Sequence, residues 1–196
     1  SYMEALTAAG LTPTVIDVDT LALENVLEAH YTPAIDQVVA SVDVGSDFSA
    51  ISIRKGDRVV FSGHVALGGQ SIVRALSQSL GVSLEEADAF QRKNAEGTIV
   101  TDQGIAAIEP AVTTLVEEVH HTVSFFWAAM TDDTLDRICL SGGVAQTPGL
   151  AHQMSARLHA PVDIANPFEL MTLAPQLDTP EPVSYTHLTL PTSVIV

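Results

Sequence analysis

Apolar and polar positions change rhythm several times along this chain, and each change predicts an element. Residues 2–9 suit the end of a helix, with Gly10 as its C-cap and Pro13 just beyond. "TVIDVD" (14–19) predicts a short strand. Asp19 then caps a helix over 20–30 whose apolar face is Leu21, Leu23, Val26 and Leu27. From Ile35 the period becomes two. "QVVASVDVG" predicts a buried strand, "SAISIRKG" an alternating one, and the Gly56-Asp57 turn leads into "RVVFSGHVAL", an antiparallel meander. A helix follows over "GGQSIVRALSQSLG", with Ile72, Val73, Leu76 and Leu80 on one side and Gly81 at its end. "SLEE" fits a capping box, Ser83 to Glu86, opening a helix to about Lys93. "KNAEGTIVTDQG" reads as a loop, and a long helix runs over roughly 105–130. "LDRICLSGG" predicts a strand, "PGLAHQMSARLH" a helix, and "PVDIANPF" a last strand and turn. The plan is mixed α/β.

Composition narrows the function classes. With 196 residues the chain suits one large domain or two small subdomains. Its 8 Lys+Arg against 24 Asp+Glu leave a net charge of −16. Such a surface repels phosphate backbones and anionic headgroups, so neither nucleic acid nor a membrane surface is expected as a partner. The single cysteine, Cys139, sits in an apolar run and predicts a buried inert thiol. No stretch predicts a membrane helix or a signal peptide, and the reading is cytoplasmic. The last fourteen residues, 183–196, carry no charged side chain. "VSYTHLTLPT" within them resembles a translated sequencing-adaptor frame, so this tail is expected to be non-native, and the native product to extend at both ends.

Familiar phosphate, dinucleotide and zinc signatures are absent from the sequence. His120 and His121 are adjacent, and the expectation is that they point apart and share no metal. Two glycine-bearing turns carry more. Asp43 ends a buried strand, and Gly45 and Ser46 begin the turn after it, where backbone N–H groups can form an anion-binding nest. Asp43 could hold Mg²⁺ through water. An ordinary Asp-x-Gly hairpin explains that turn equally well when it is taken alone. The other turn is Gly142-Gly143, a bare backbone between a strand and a helix, which suits either a plain turn or close approach of a ligand.

Together the two turns follow the order found in actin-like nucleotide folds. The chain resembles the PilM family, actin-like components of type IV pilus assembly related to FtsA. The resemblance is carried by "AAGLTPTVIDVDTLALENVLE", "VDVGSDFSAISIRKGDRVVFSGHVALGGQSI", "LGVSLEEADAFQRK" and "ICLSGGVAQTPGLAHQMSARLHAPVDIANPF" in that order. It implies an actin-like (ribonuclease H-like) α/β fold with ATP and Mg as cofactors of the intact protein, bound weakly or not at all by this chain alone. Asp43, Gly45 and Ser46 match the second phosphate loop, Ser49 takes a later hydroxyl's place, and Gly142 and Gly143, entered through Ser141, form the adenosine platform. Relatives carry an Ala-Glu-x-x-Lys helix at the ribose; here Asp88 and Gln91 occupy those places, with Arg92 or Lys93 as substitutes for the lysine. Asp47, beside the phosphate loop, argues against hydrolysis, and no catalytic residue is identified.

The resemblance also divides the chain. Residues 1–17 would end an inserted small subdomain, 18–34 would return to a first lobe mostly missing here, and 35–182 would form the second lobe, with a helical part over about 66–117. It implies a scaffold at the inner face of the inner membrane, docking the pilus assembly ATPases and, through a groove largely in the missing part, the cytosolic N-terminal segment of a PilN-like protein, without inserting itself. The alternatives are an FtsA-like division tether, which calls for a C-terminal amphipathic helix, and an ATPase or phosphotransferase, which calls for a base and an acceptor pocket.

Overall fold

A computed structural model describes residues 2–15, 23–25, 34, 36–95, 102–127 and 134–166. The adaptor-like tail therefore lies outside the described residues, as do most of the strand expected over 14–19 and most of the helix expected over 20–30. Residues 14–15 are irregular and 23–25 are helical.

The element order is α1 (Tyr2–Ala8), β1 (Val38–Val44), β2 (Ser49–Lys55), β3 (Arg58–Val65), α2 (Gly69–Leu80), α3 (Leu84–Ala95), α4 (Asp102–Trp127), β4 (Arg137–Ser141), α5 (Leu150–Leu158) and β5 (Val162–Ile164). The strands form one sheet in the order β3-β2-β1-β4-β5. The meander β1-β2-β3 is antiparallel, whereas β4 lies parallel to both β1 and β5. β1 is central, which is why "VVASVDV" is almost continuously buried, and β3 is an edge strand with most of its residues exposed or half-buried.

One face of the sheet is apolar. Val42, Val44, Ile51, Ile53, Ile138 and Leu140 pack there in one cluster with Ile72 and Leu76 of α2, Val112, Leu115 and Val119 of α4, and Met154 of α5. α4 starts at Asp102 and α3 reaches Ala95, so both run into the stretch expected as a loop. The caps follow the sequence. Gly10 (φ +79°) ends α1 with Gly10 N–H donating to Thr7 C=O and Leu11 N–H to Leu6 C=O, and Gly81 (φ +67°) ends α2. The Ser83–Glu86 box is reciprocal: the Ser83 N–H donates to the Glu86 carboxylate, and the Glu86 N–H to the Ser83 hydroxyl. The bonds from Ser83 hold the Glu86 carboxyl below its ordinary value of 4.5.

The other face is built from smaller and more polar residues. Val39, Cys139 and Ala165 cluster with Leu23. Beside them Glu24 is buried and accepts hydrogen bonds from the Ser52 hydroxyl and from Arg54, whose Nη1 stands 3.2 Å away. Removing one member of a buried pair leaves the other charge desolvated. Glu24→Ala is therefore expected to cost about 3 kcal/mol in urea unfolding. A loss below about 1 kcal/mol would show that water reaches the pair. Burial, reinforced by Asp163, pushes the Cys139 thiol up to about 11, so it stays protonated and inert at neutral pH, as its sequence setting suggests.

Candidate functional site

β1 and β4 run parallel with Asp43 opposite Ser141, so both strands deliver their following turns to the same end of the sheet. Crevices outside the carboxyl ends of parallel strands are where open α/β sheets take ligands. The Ser141 hydroxyl donates to Asp43 Oδ1 at 2.8 Å and ties the two strand ends together. After β1, the Gly45 N–H donates to Phe48 C=O (3.1 Å) and closes the turn, leaving Ser46, Asp47 and Phe48 exposed. After β4, Gly142 has φ +94°, and a Cβ there would stand 2.7 Å from the carbonyl carbon of Val44 and closer still to its oxygen. Gly142 is thus demanded twice, by its conformation and by its contact with β1.

Gly143 is different. It is exposed, its φ is not positive, and a Cβ there would meet nothing within 4 Å. Neither conformation nor packing asks for glycine at this position. What glycine leaves is a bare stretch of main chain beside the Asp43–Ser141 strand ends.

A third glycine segment, Gly68-Gly69 at the start of α2, joins the first two. Gly69 N–H donates to Gly45 C=O and Gln70 N–H to Ser46 C=O, both at 2.9 Å. A Cβ on Gly68 would stand 2.5 Å from the Gly45 oxygen and 2.6 Å from the Ser46 oxygen. Gly68 has extended backbone (φ −158°), so close approach alone requires it. A Cβ on Gly69 would touch the Val144 methyls at 3.2 Å, so the start of α2 also rests on the turn after β4. The signal was available in "ALGGQSI", which has the same strand–glycine pair–helix grammar as "CLSGGVAQTPGL".

The expected site residues sort as follows. Asp43, Gly45, Ser46, Ser141, Gly142 and Gly143 are brought together at this end of the sheet. Ser49 is fully buried, and its hydroxyl donates to Leu67 C=O at 2.8 Å, which braces the approach to α2. Gln91 is buried, with Nε2 3.7 Å from where a Cβ on Gly69 would lie, so it faces the glycine cluster. Asp88 instead pairs with Arg92 one turn on, where Arg92 and Lys93 are exposed. As for cofactors, the bare Gly143 backbone fits a flat ring laid against it. The half-buried Asp43 carboxylate is an oxygen donor of the kind Mg²⁺ takes.

One expectation needs correction. His120 and His121 do not point wholly apart: their rings stand 6.0 Å apart, on the side of the helix where Glu117 lies one turn earlier. Ligand atoms of Glu117, His120 and His121 all lie within 4.8 Å of one another. Arg157 of α5 grips Glu117 through Nε (2.8 Å) and Nη2 (3.0 Å) and so holds that carboxyl below its ordinary value. Burial, and then the Arg157 charge, lower His120 from 6.5.

A mixed sheet backed by α2, α4 and α5, with glycine turns meeting at the ends of β1 and β4, is the actin-like α/β fold. The solved structures agree. This chain matches a PilM-PilN type IV pilus biogenesis complex with TM-score 0.76 and 26% identity, over 89% of its own length and 49% of the other's. It matches the ethanolamine utilization protein EutJ from Carboxydothermus hydrogenoformans at 0.63 and 19%, over 81% and 52%. The archaeal actin homolog Ta0583 follows at 0.57 and 14%, over 76% and 49%. The family model described as type IV pilus assembly protein PilM matches residues 1–186, and the chain belongs to that family. It spans about half the length of the solved chains it matches. Among the described residues no helix is long and apolar enough to cross a membrane.

Proposed function

We propose that this chain is the adenosine-side lobe of an ATP-responsive scaffold in type IV pilus assembly. The observation that carries the reading is Gly143: an exposed glycine that neither backbone conformation nor packing requires, next to Gly142, whose positive φ and contact with Val44 do require one. The adenine and ribose would lie on the Gly142–Gly143 backbone, with Gln91 buried near the same cluster. Ser46, exposed in the opposite turn that the Gly45 N–H closes on Phe48, would receive phosphate oxygens. Bound Mg²⁺ neutralises phosphate charge, and Asp43 is the residue placed to hold it through water.

The geometry favours binding over turnover. Two of the N–H groups that open α2 already donate to Gly45 and Ser46 carbonyls, and Asp47 adds negative charge beside that turn. A nucleotide here acts by favouring one arrangement of turn 45–48 against α2, a population shift between conformers. The partner reading rests on family membership and on the related protein solved together with PilN. It places the scaffold at the inner face of the membrane, docked on the cytosolic segment of a PilN-like protein and within reach of the pilus assembly ATPases. The test is ATP titrated, with Mg²⁺, into the wild-type chain and into Gly143→Trp. Saturable binding that the tryptophan abolishes supports the reading. Absence of saturable binding by the wild type, or identical curves for the two, would overturn it.

A further inference from the structure

The α4–α5 contact holds a cluster that the nucleotide reading does not use. Glu117, His120 and His121 occupy positions i, i+3 and i+4 of one helix, and one metal-ligating atom of each lies within 4.8 Å of the other two. The His120 and His121 rings lie 6.0 Å apart, centroid to centroid. His120 Nε2 is already engaged, 3.2 Å from the Ser124 hydroxyl and 3.1 Å from Arg157 Nη1. Its Nδ1 is buried and has no hydrogen-bond partner among the described residues. A buried ring nitrogen without a partner is costly, and an ion supplies what it lacks.

We propose that Glu117, His120 through Nδ1, and His121 form a binding site for a borderline divalent transition-metal ion of the Zn²⁺ class, with water in the fourth position. The donor set decides the class. Two imidazoles and one carboxylate suit Zn²⁺, whereas Mg²⁺ and Ca²⁺ prefer oxygen throughout. Tetrahedral Zn²⁺ with bonds of about 2.0–2.2 Å holds its ligand atoms about 3.3 Å apart. One ligand atom from each of the three side chains already lies within 4.8 Å of the other two, so bringing that set to tetrahedral spacing takes about 1.5 Å or less. His121 is exposed and has room to make that adjustment.

Arg157 does not block the site. Its two bonds to Glu117 use one lone pair on each carboxylate oxygen and leave the others available. With the metal on Nδ1 the His120 Nε2 carries the proton and donates it to Ser124, the outer contact that metal-bound histidines commonly make. Arg157 Nη1 then loses its acceptor and turns from the ring. Metal binding and the α4–α5 contact are therefore coupled at Arg157.

The experiment is a titration of the chain with CoCl₂ alone and then ZnCl₂ alone. The visible d–d bands of tetrahedral Co²⁺ are expected, and Zn²⁺ is expected to displace them. His121→Ala, at an exposed position, is expected to weaken Zn²⁺ binding at least about tenfold without moving the thermal melt, and Glu117→Gln and His120→Ala to weaken it likewise. No saturable Zn²⁺ binding by the wild type, or wild-type affinity in His121→Ala, overturns the proposal.

Discussion

Gly142→Ala is expected to lose more than about 4 kcal/mol of stability, enough to empty the soluble fraction of a marginally stable fold. Two costs add. A φ of +94° lies where L side chains are strained, and the new methyl would overlap the backbone of Val44. Val44 cannot retreat, because it is fully buried and its strand is paired on both sides. Relief requires the end of β4 to leave β1, which breaks the 2.8 Å bond from Ser141 to Asp43. Urea unfolding, or expression yield if the variant does not fold, checks this. The control is Gly143→Ala next door, expected within about 0.5 kcal/mol of wild type. Near-native stability of the Gly142→Ala variant would mean that the β4 turn does not rest on β1.

Gly143→Trp is expected to keep the fold and lose the ligand. Its Cβ enters open space from an exposed position, so the indole projects over the surface and displaces nothing. It then occupies the area that an adenine ring would cover. One ring face is roughly 100 Å², worth about 2.5 kcal/mol at ~25 cal/mol per Å², or close to a hundredfold in affinity. The paired readouts are an ATP titration and a thermal melt. A hundredfold loss with an unchanged melting temperature fits the account, whereas loss of both would assign Gly143 to the fold.

The contrast between these glycines marks how far the sequence could be read. Alternation gave the bounds of β1, β2 and β3 nearly to the residue, and Gly81 and the Ser83–Glu86 box fixed the junction of α2 and α3, because each of these signals is local. Contacts between segments distant in sequence leave no such trace. The approach of Gly68 to the Gly45 and Ser46 carbonyls, and the burial of Glu24 against Ser52 and Arg54, depend on how the meander and its neighbours stack. Ser49 shows the same limit. Its place in a phosphate-loop motif suggested a ligand contact, yet folding turns its hydroxyl toward Leu67. On α3 the resemblance offered Arg92 or Lys93 in place of a ribose-contacting lysine, and helix geometry puts both outside while Gln91 is buried toward the glycines. The rings of the histidine pair come closer than adjacency suggests, because side-chain rotamers as well as the helical step of about 100° set where the ring nitrogens lie.

The central claim is that the Gly142–Gly143 backbone is a nucleotide surface. Backbone amide NMR of the chain, recorded as ATP and Mg²⁺ are added, tests it most directly. The account predicts that the amides of Gly143, Gly45 and Ser46 shift together and saturate at one concentration, while those of Glu117–His121 stay in place. Saturating shifts that leave Gly142 and Gly143 unmoved would contradict it.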